Sequence, residues 1–166
     1  MEDTFLTRIK DSNVQDYILD VQGYANELTV EIRSEQVVEV MRILKNQFGF
    51  TYLADITASD HYSDEKRFEL SYNLVNLEEK RRLRVSCRLE EDDPRIDSVI
   101  EIWQGANWYE REAWDMMGIR FNNHPDLRRI YMPEDFQFHP LRKEFPQLGI
   151  PGSIQMPEKD PPKEYK

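Results

Sequence analysis

Apolar and polar residues alternate at Leu28, Val30 and Ile32, the period of a strand with one buried face. The spacing then changes to that of a helix. Val37, Val40, Met41, Leu44 and Phe48 fall on one side, Ser34 stands where an N-cap belongs, and Gly49 suits the left-handed residue that ends a helix. Tyr52 to Ile56 is too short and too apolar for another helix and reads as a second strand, ending in the polar stretch Ser59-Asp60-His61. Phe68, Leu70, Tyr72 and Leu74 alternate with Glu69, Ser71 and Asn73. After a turn region from Asn76 to Lys80 the alternation resumes as Leu83, Val85, Cys87 and Leu89 against Arg82, Arg84, Ser86 and Arg88. This is a hairpin, with Glu and Arg rows opposed on its solvent side.

Two short helices are predicted to follow. The first starts at Asp93 with Pro94 in its first turn and buries Ile96, Val99, Ile100 and Trp103. The second starts at Asn107, with Glu110 three residues on as in a capping box, and runs to Gly118. Strand, helix, strand, hairpin, helix, helix is an α+β order, with helices on one face of a mostly antiparallel sheet. The predicted globular domain is 1–118. Eight of the nine prolines lie in the last 42 residues, so 119–166 is expected to be a long, extended Pro-rich arm. Phe121, Leu127, Ile130, Tyr131, Met132, Phe136, Phe138, Leu141, Phe145 and Ile150 make it too apolar for a free linker, and it is expected to dock on partner subunits.

Composition narrows the function. The 166 residues carry a net charge of −10, and residues 1–106 hold 22 acidic against 13 basic groups, whereas 107–166 are nearly balanced at 10 and 9. Nucleic acid or anionic lipid as the main ligand would need a cationic footprint instead. A single cysteine, Cys87, cannot by itself hold an iron–sulfur cluster or a structural zinc, and on the apolar side of its strand it reads as a core thiol. No apolar run approaches the ~20 residues of a membrane span, and the acidic start carries no cationic targeting segment. Membrane association is expected only through a partner. Phosphate loops, dinucleotide fingerprints and Gly-x-Ser-x-Gly are missing.

Three groups of residues could carry chemistry, each with a structural alternative. His124-Pro125 and His139-Pro140 open two similar words, His-Pro-Asp-Leu-Arg-Arg and His-Pro-Leu-Arg-Lys. Two histidines fall short of a closed zinc sphere, so imidazoles bracing extended backbone are the expected role. Glu110, Arg111, Glu112 and Asp115 put both charge signs on two helical turns. They would suit a proton-transfer pair, or a helix-stabilising i, i+4 pair between Arg111 and Asp115. Arg128-Arg129 and Arg142-Lys143, beside aromatics and prolines, have the composition of protein-interface anchors.

The block from Asn107-Trp108-Tyr109-Glu110-Arg111-Glu112-Ala113-Trp114-Asp115 to Phe121, followed by His124 to Ile130 and by His139 to Pro146, closely resembles a known signature. It is that of the C subunit of the proton-pumping NADH:quinone oxidoreductase, respiratory complex I. Leu53 to Asp60 and Arg67-Phe68-Glu69 are similar as well, so the resemblance covers most of 28–146. It implies an accessory peripheral-arm subunit without an active site or redox centre of its own, with FMN and iron–sulfur clusters in partner subunits. The partners would be the quinone-site subunit and the one holding the terminal cluster, on the cytoplasmic side of a bacterial membrane. The signature residues Glu110, Arg111, Asp115, His124, Pro125, Leu127, Arg128, Arg129, Tyr131, His139, Pro140, Leu141, Arg142 and Lys143 are then expected at the partner interface. Competing readings are the equivalent subunit of a membrane-bound hydrogenase or ferredoxin-linked complex, and a free-standing acid–base enzyme built on Glu110, Asp115 and a histidine.

Overall fold

The structure is a computed structural model, and it describes residues 4–10, 12–24, 27–62 and 65–154. Its elements are α1 (Thr4–Lys10), β1 (Ile18–Tyr24), β2 (Glu27–Ile32), α2 (Val37–Phe48), β3 (Tyr52–Asp60), β4 (Phe68–Asn76), β5 (Arg81–Leu89), β6 (Arg95–Asp97), α3 (Ala106–Met117) and β7 (Arg120–Asn122). Five strands form one sheet in the order β1-β2-β5-β4-β3. All neighbours are antiparallel except β2 and β5, which run parallel with Val30 opposite Val85. The α+β class and the mostly antiparallel sheet are therefore as the apolar pattern predicts.

The hairpin follows its alternation closely. Leu70 faces Cys87, Tyr72 faces Val85 and Leu74 faces Leu83, and these side chains are fully or almost fully buried. On the other face Glu69 opposes Arg88, with 3.4 Å between carboxylate and guanidinium. α2 adds its stripe of Val37, Val40, Met41, Leu44 and Phe48 to the same core, together with Ile43. It ends on Gly49 in the left-handed region at φ 72°. Ser34 does not cap it by a side-chain bond; it opens a single 3-10 turn, Ser34–Gln36, ahead of the helix.

Two expectations are corrected. No helix begins at Asp93: residues 95–97 form β6, which pairs in parallel with β7, Ile96 opposite Phe121. Of the expected stripe Ile96, Val99 and Trp103 are buried and Ile100 is half-buried, from a short strand and the turns after it. The backbone takes the pairing offered by a distant segment, which no local period records. Asn107 also fails as an N-cap, because α3 begins at Ala106 with no side-chain cap bond. Glu110 turns away from the helix start toward Ser98 and Val99.

Candidate docking site at the end of the third helix

A helix leaves its last carbonyls without intrahelical partners. In α3 residues from beyond the helix supply them. Gly118, at φ 76°, donates its N–H to Trp114 O at 2.8 Å. His139 Nδ1 sits 3.0 Å from Asp115 O, Leu141 N–H reaches Met116 O at 3.1 Å, and Arg142 Nε–H reaches Met117 O at 2.7 Å. A Cβ on Gly118 would lie 2.7 Å from both His139 and Arg142, so the helix end and the second His-Pro segment approach as closely as only glycine permits.

The first His-Pro segment lies along the side of the same helix. Asp115, with no solvent exposure, takes the Arg129 guanidinium on Oδ1 at 2.5 Å. Its Oδ2 takes the N–H groups of Ile130, Tyr131 and Met132 at 3.0, 2.7 and 3.0 Å. Burial opposes the charge, but these three amides and the guanidinium prevail and hold the carboxyl below its usual range. Arg111 donates to the carbonyls of Arg128 and Arg129, both at 3.1 Å, and stacks on Trp108. The sequence-predicted Arg111–Asp115 pair thus does not form; each residue binds the incoming chain instead. Arg129 goes on to the carbonyls of Phe136 and Phe138 and packs over the Trp114 and Phe136 rings.

A third anchor lies at the end of β3 and the start of β4. Arg67, 2% exposed, forks onto Asp60 at 2.8 and 2.7 Å, pairs with Glu91 at 2.6 Å, and is met by Glu144 from the arm. The Lys143 N–H bonds Asp60 Oδ2 at 2.8 Å. The Arg67 fork, outweighing burial, drives the Asp60 carboxyl far below the usual range. Residues 119–154 therefore fold back on their own domain through α3 and Asp60–Arg67; the rest of the expected arm, 155–166, lies outside the described residues. Neither Asp60 nor Arg67 stands out as functional in the sequence, where they are polar residues at strand ends. The arm's Lys143-Glu144, following Arg142, is the complementary signal.

The remaining signature residues divide by exposure. Leu127 is partly buried against the core, and Arg128 points outward, pairing with Asp126 at 2.9 Å. Tyr131 is 63% exposed and Leu141 55%, and Trp108, Phe138 and Leu148 also face outward. Pro125 and Lys143 lie at the surface and Pro140 is half-buried. Beneath them Phe136 is buried in an edge-to-face cluster with Phe138 and Phe145. His124 and His139 both brace backbone, His124 Nδ1 accepting the Asp126 N–H at 3.1 Å. Among the described residues no group of three or more His, Cys, Asp or Glu is placed to hold a metal ion. No helix among them is long and apolar enough to cross a membrane.

Residues 30–150 match the family model of the respiratory-chain NADH dehydrogenase 30 kDa subunit. The chain is 44% identical over 132 residues to the C subunit of the NADH-quinone oxidoreductase of Geotalea uraniireducens strain Rf4, covering 80% of each. It is 37% identical over 145 residues to the C subunit of the Roseiflexus sp. strain RS-1 enzyme, covering 86% of this chain and 83% of that one. Among solved structures, a trypsin-resistant fragment (1–134) of Nqo5 superposes with a TM-score of 0.66 at 31% identity, over 74% of this chain and 98% of the fragment. A chain of an archaeal membrane-bound sulfane sulfur reductase shares the fold, with a TM-score of 0.76 at 24% identity over 88% and 86% of the two chains.

Proposed function

The chain belongs to the 30 kDa subunit family of respiratory-chain NADH dehydrogenases, the C subunits of NADH-quinone oxidoreductase, and from that premise we propose that it is a non-redox scaffold of the enzyme's peripheral arm. It docks through the outer surface of residues 124–148 beside the quinone-site subunit and the one that holds the terminal iron–sulfur cluster. FMN and clusters belong to those and other partners, and contact with the cytoplasmic side of the membrane is through them. One observation carries this reading. The charged signature residues Arg111, Asp115, Arg129 and Arg142 direct hydrogen bonds or ion pairs within the chain, leaving Tyr131, Leu141 and Arg128 outward on a braced backbone. Such a surface has an interface's anchor chemistry rather than a reaction centre's.

The test uses membranes from cells whose only copy carries Arg128→Ala, Tyr131→Ala and Leu141→Ala together. These side chains make little of the fold, so the purified chain should melt normally. Native-gel abundance of the assembled enzyme should fall, and NADH:quinone reductase activity should fall in proportion. Normal assembly with lost turnover would move this surface into the catalytic path and end the scaffold reading.

A further inference from the structure

We infer that Glu110 and His124 form a buried proton-binding pair, and that the proton they hold keeps the loop leading from β7 into the arm closed over α3. Neither side chain has any solvent exposure, and His124 Nε2 lies 4.0 Å from Glu110 Oε2. The carboxyl is met by two neutral donors, Ser98 Oγ–H at 2.6 Å and the Val99 N–H at 2.8 Å. An enclosed carboxylate with no cation bonded to it is costly, and the cheaper state is the neutral acid. His124 has its Nδ1 occupied as the acceptor of the Asp126 N–H, which places the neutral ring's proton on Nε2, where no partner among the described residues stands in hydrogen-bond geometry.

The surrounding groups decide which partner carries the shared proton. From the end of β6 come Ser98 and Val99, with Asp97 tied to Asn122. From β4 comes the enclosed Tyr72 phenol, raised by burial first and then by Cys87, Glu110 and Asp97. From the loop come His124 and Asp126, and from α3 itself Asn107 and Arg111. Burial disfavours a charged His124 and outweighs the help of the Asn107 backbone, with Arg111 against the charge and Asp126 for it in smaller measure. Burial pushes the Glu110 carboxyl up to about 7 despite the Ser98 and Val99 bonds. The proton therefore resides on Glu110, beside a neutral imidazole.

The sign follows from linkage. Glu110 rises from 4.5 to about 7 on folding, so its contribution to stability is full below 4.5 and is lost as the pH climbs through about 7. His124 moves the opposite way, its contribution being present above 6.5 and lost as the pH falls through its lowered value. Above neutrality the ionised Glu110 needs water, and the element that admits it is the 122–126 loop, joined to the Ser98 turn by the Ser98 N–H to Asn122 O bond.

The full chain, isotopically labelled, is titrated by NMR between about pH 5 and about pH 9, a range that spans the histidine switch region. One glutamate carboxyl should titrate near 7 and be absent in Glu110→Gln. Exchange of the Asp126 amide, corrected for its intrinsic rate, should quicken about tenfold across that midpoint in the parent, and show no such step in the variant. Glutamates that all titrate in their ordinary range, or a Glu110→Gln chain that keeps the step, would overturn the pair. Should the variant fail to fold, the carboxyl titration of the parent decides alone.

Discussion

Asp115 and Glu110 are both enclosed on α3, and they meet opposite fates because of what points at them. Asp115 faces three amides and a guanidinium, which hold its carboxyl below the usual range; Glu110 faces one hydroxyl and one amide, which do not outweigh burial, and its carboxyl is pushed up to about 7. Asp115→Ala should therefore strand the Arg129 guanidinium and the amides of 130–132 together. Removing one member of a buried pair costs about 3–5 kcal/mol, because its partner is left charged and unpaired. Denaturant unfolding should show a loss of that size, against under about 1 kcal/mol for the exposed Arg128→Ala. A loss below about 1 kcal/mol for Asp115→Ala would mean that the arm does not rest on this carboxylate in solution. Since the Asp115 carboxyl is held below 3.8, its contribution is present above that pH and is lost on acidification, the reverse of Glu110.

The element scale shows what a sequence displays and what it hides. α2 and the β4–β5 hairpin are legible because each buries one face, and the burial prints its own period on neighbouring residues. Residues 93–103 mislead because Asp93-Pro94 mimics a helix start, while the contact that decides the matter joins Ile96 to Phe121 across α3. The same mimicry hides the Glu110 site, since its partners Ser98 and Val99 fall within the expected helix. The types of the site residues are visible, but their pairing is not. Arg111 and Asp115 have ideal i, i+4 spacing, yet each finds better-desolvated partners in the arm. Gly118 is the hinge of that arrangement. Gly118→Ala would impose a side chain on a left-handed backbone, at about 1 kcal/mol, and drive it against His139 and Arg142. Hydrogen exchange should then report lost protection at Leu141 and Arg142 while α2 is unchanged. Protection kept at both amides would show that the arm can seat without this close approach.

At the scale of the whole molecule, three separate anchors hold the return of residues 119–154: the flank of α3, its carboxyl end, and Asp60–Arg67. The outward side chains between them are presented by a backbone already set, so less ordering entropy would be left to be lost in the proposed docking. The sheet imposes a different constraint on the same chain. Its one parallel seam, between β2 and β5, brings Val30 to Val85 from distant parts of the sequence, whereas β1–β2 and β4–β5 close as neighbours. Loop closure across α2, β3 and β4 must precede any return from that seam, which makes it the natural bottleneck in folding time. Val85→Ala should accordingly slow refolding in stopped-flow measurements, whereas Phe136→Ala, in the arm, should leave refolding nearly unchanged and hasten unfolding. The order matters for a newly made chain: until β2 and β5 meet, two half-sheets carry unpaired inner edges, and this is the interval in which it is most exposed to aggregation.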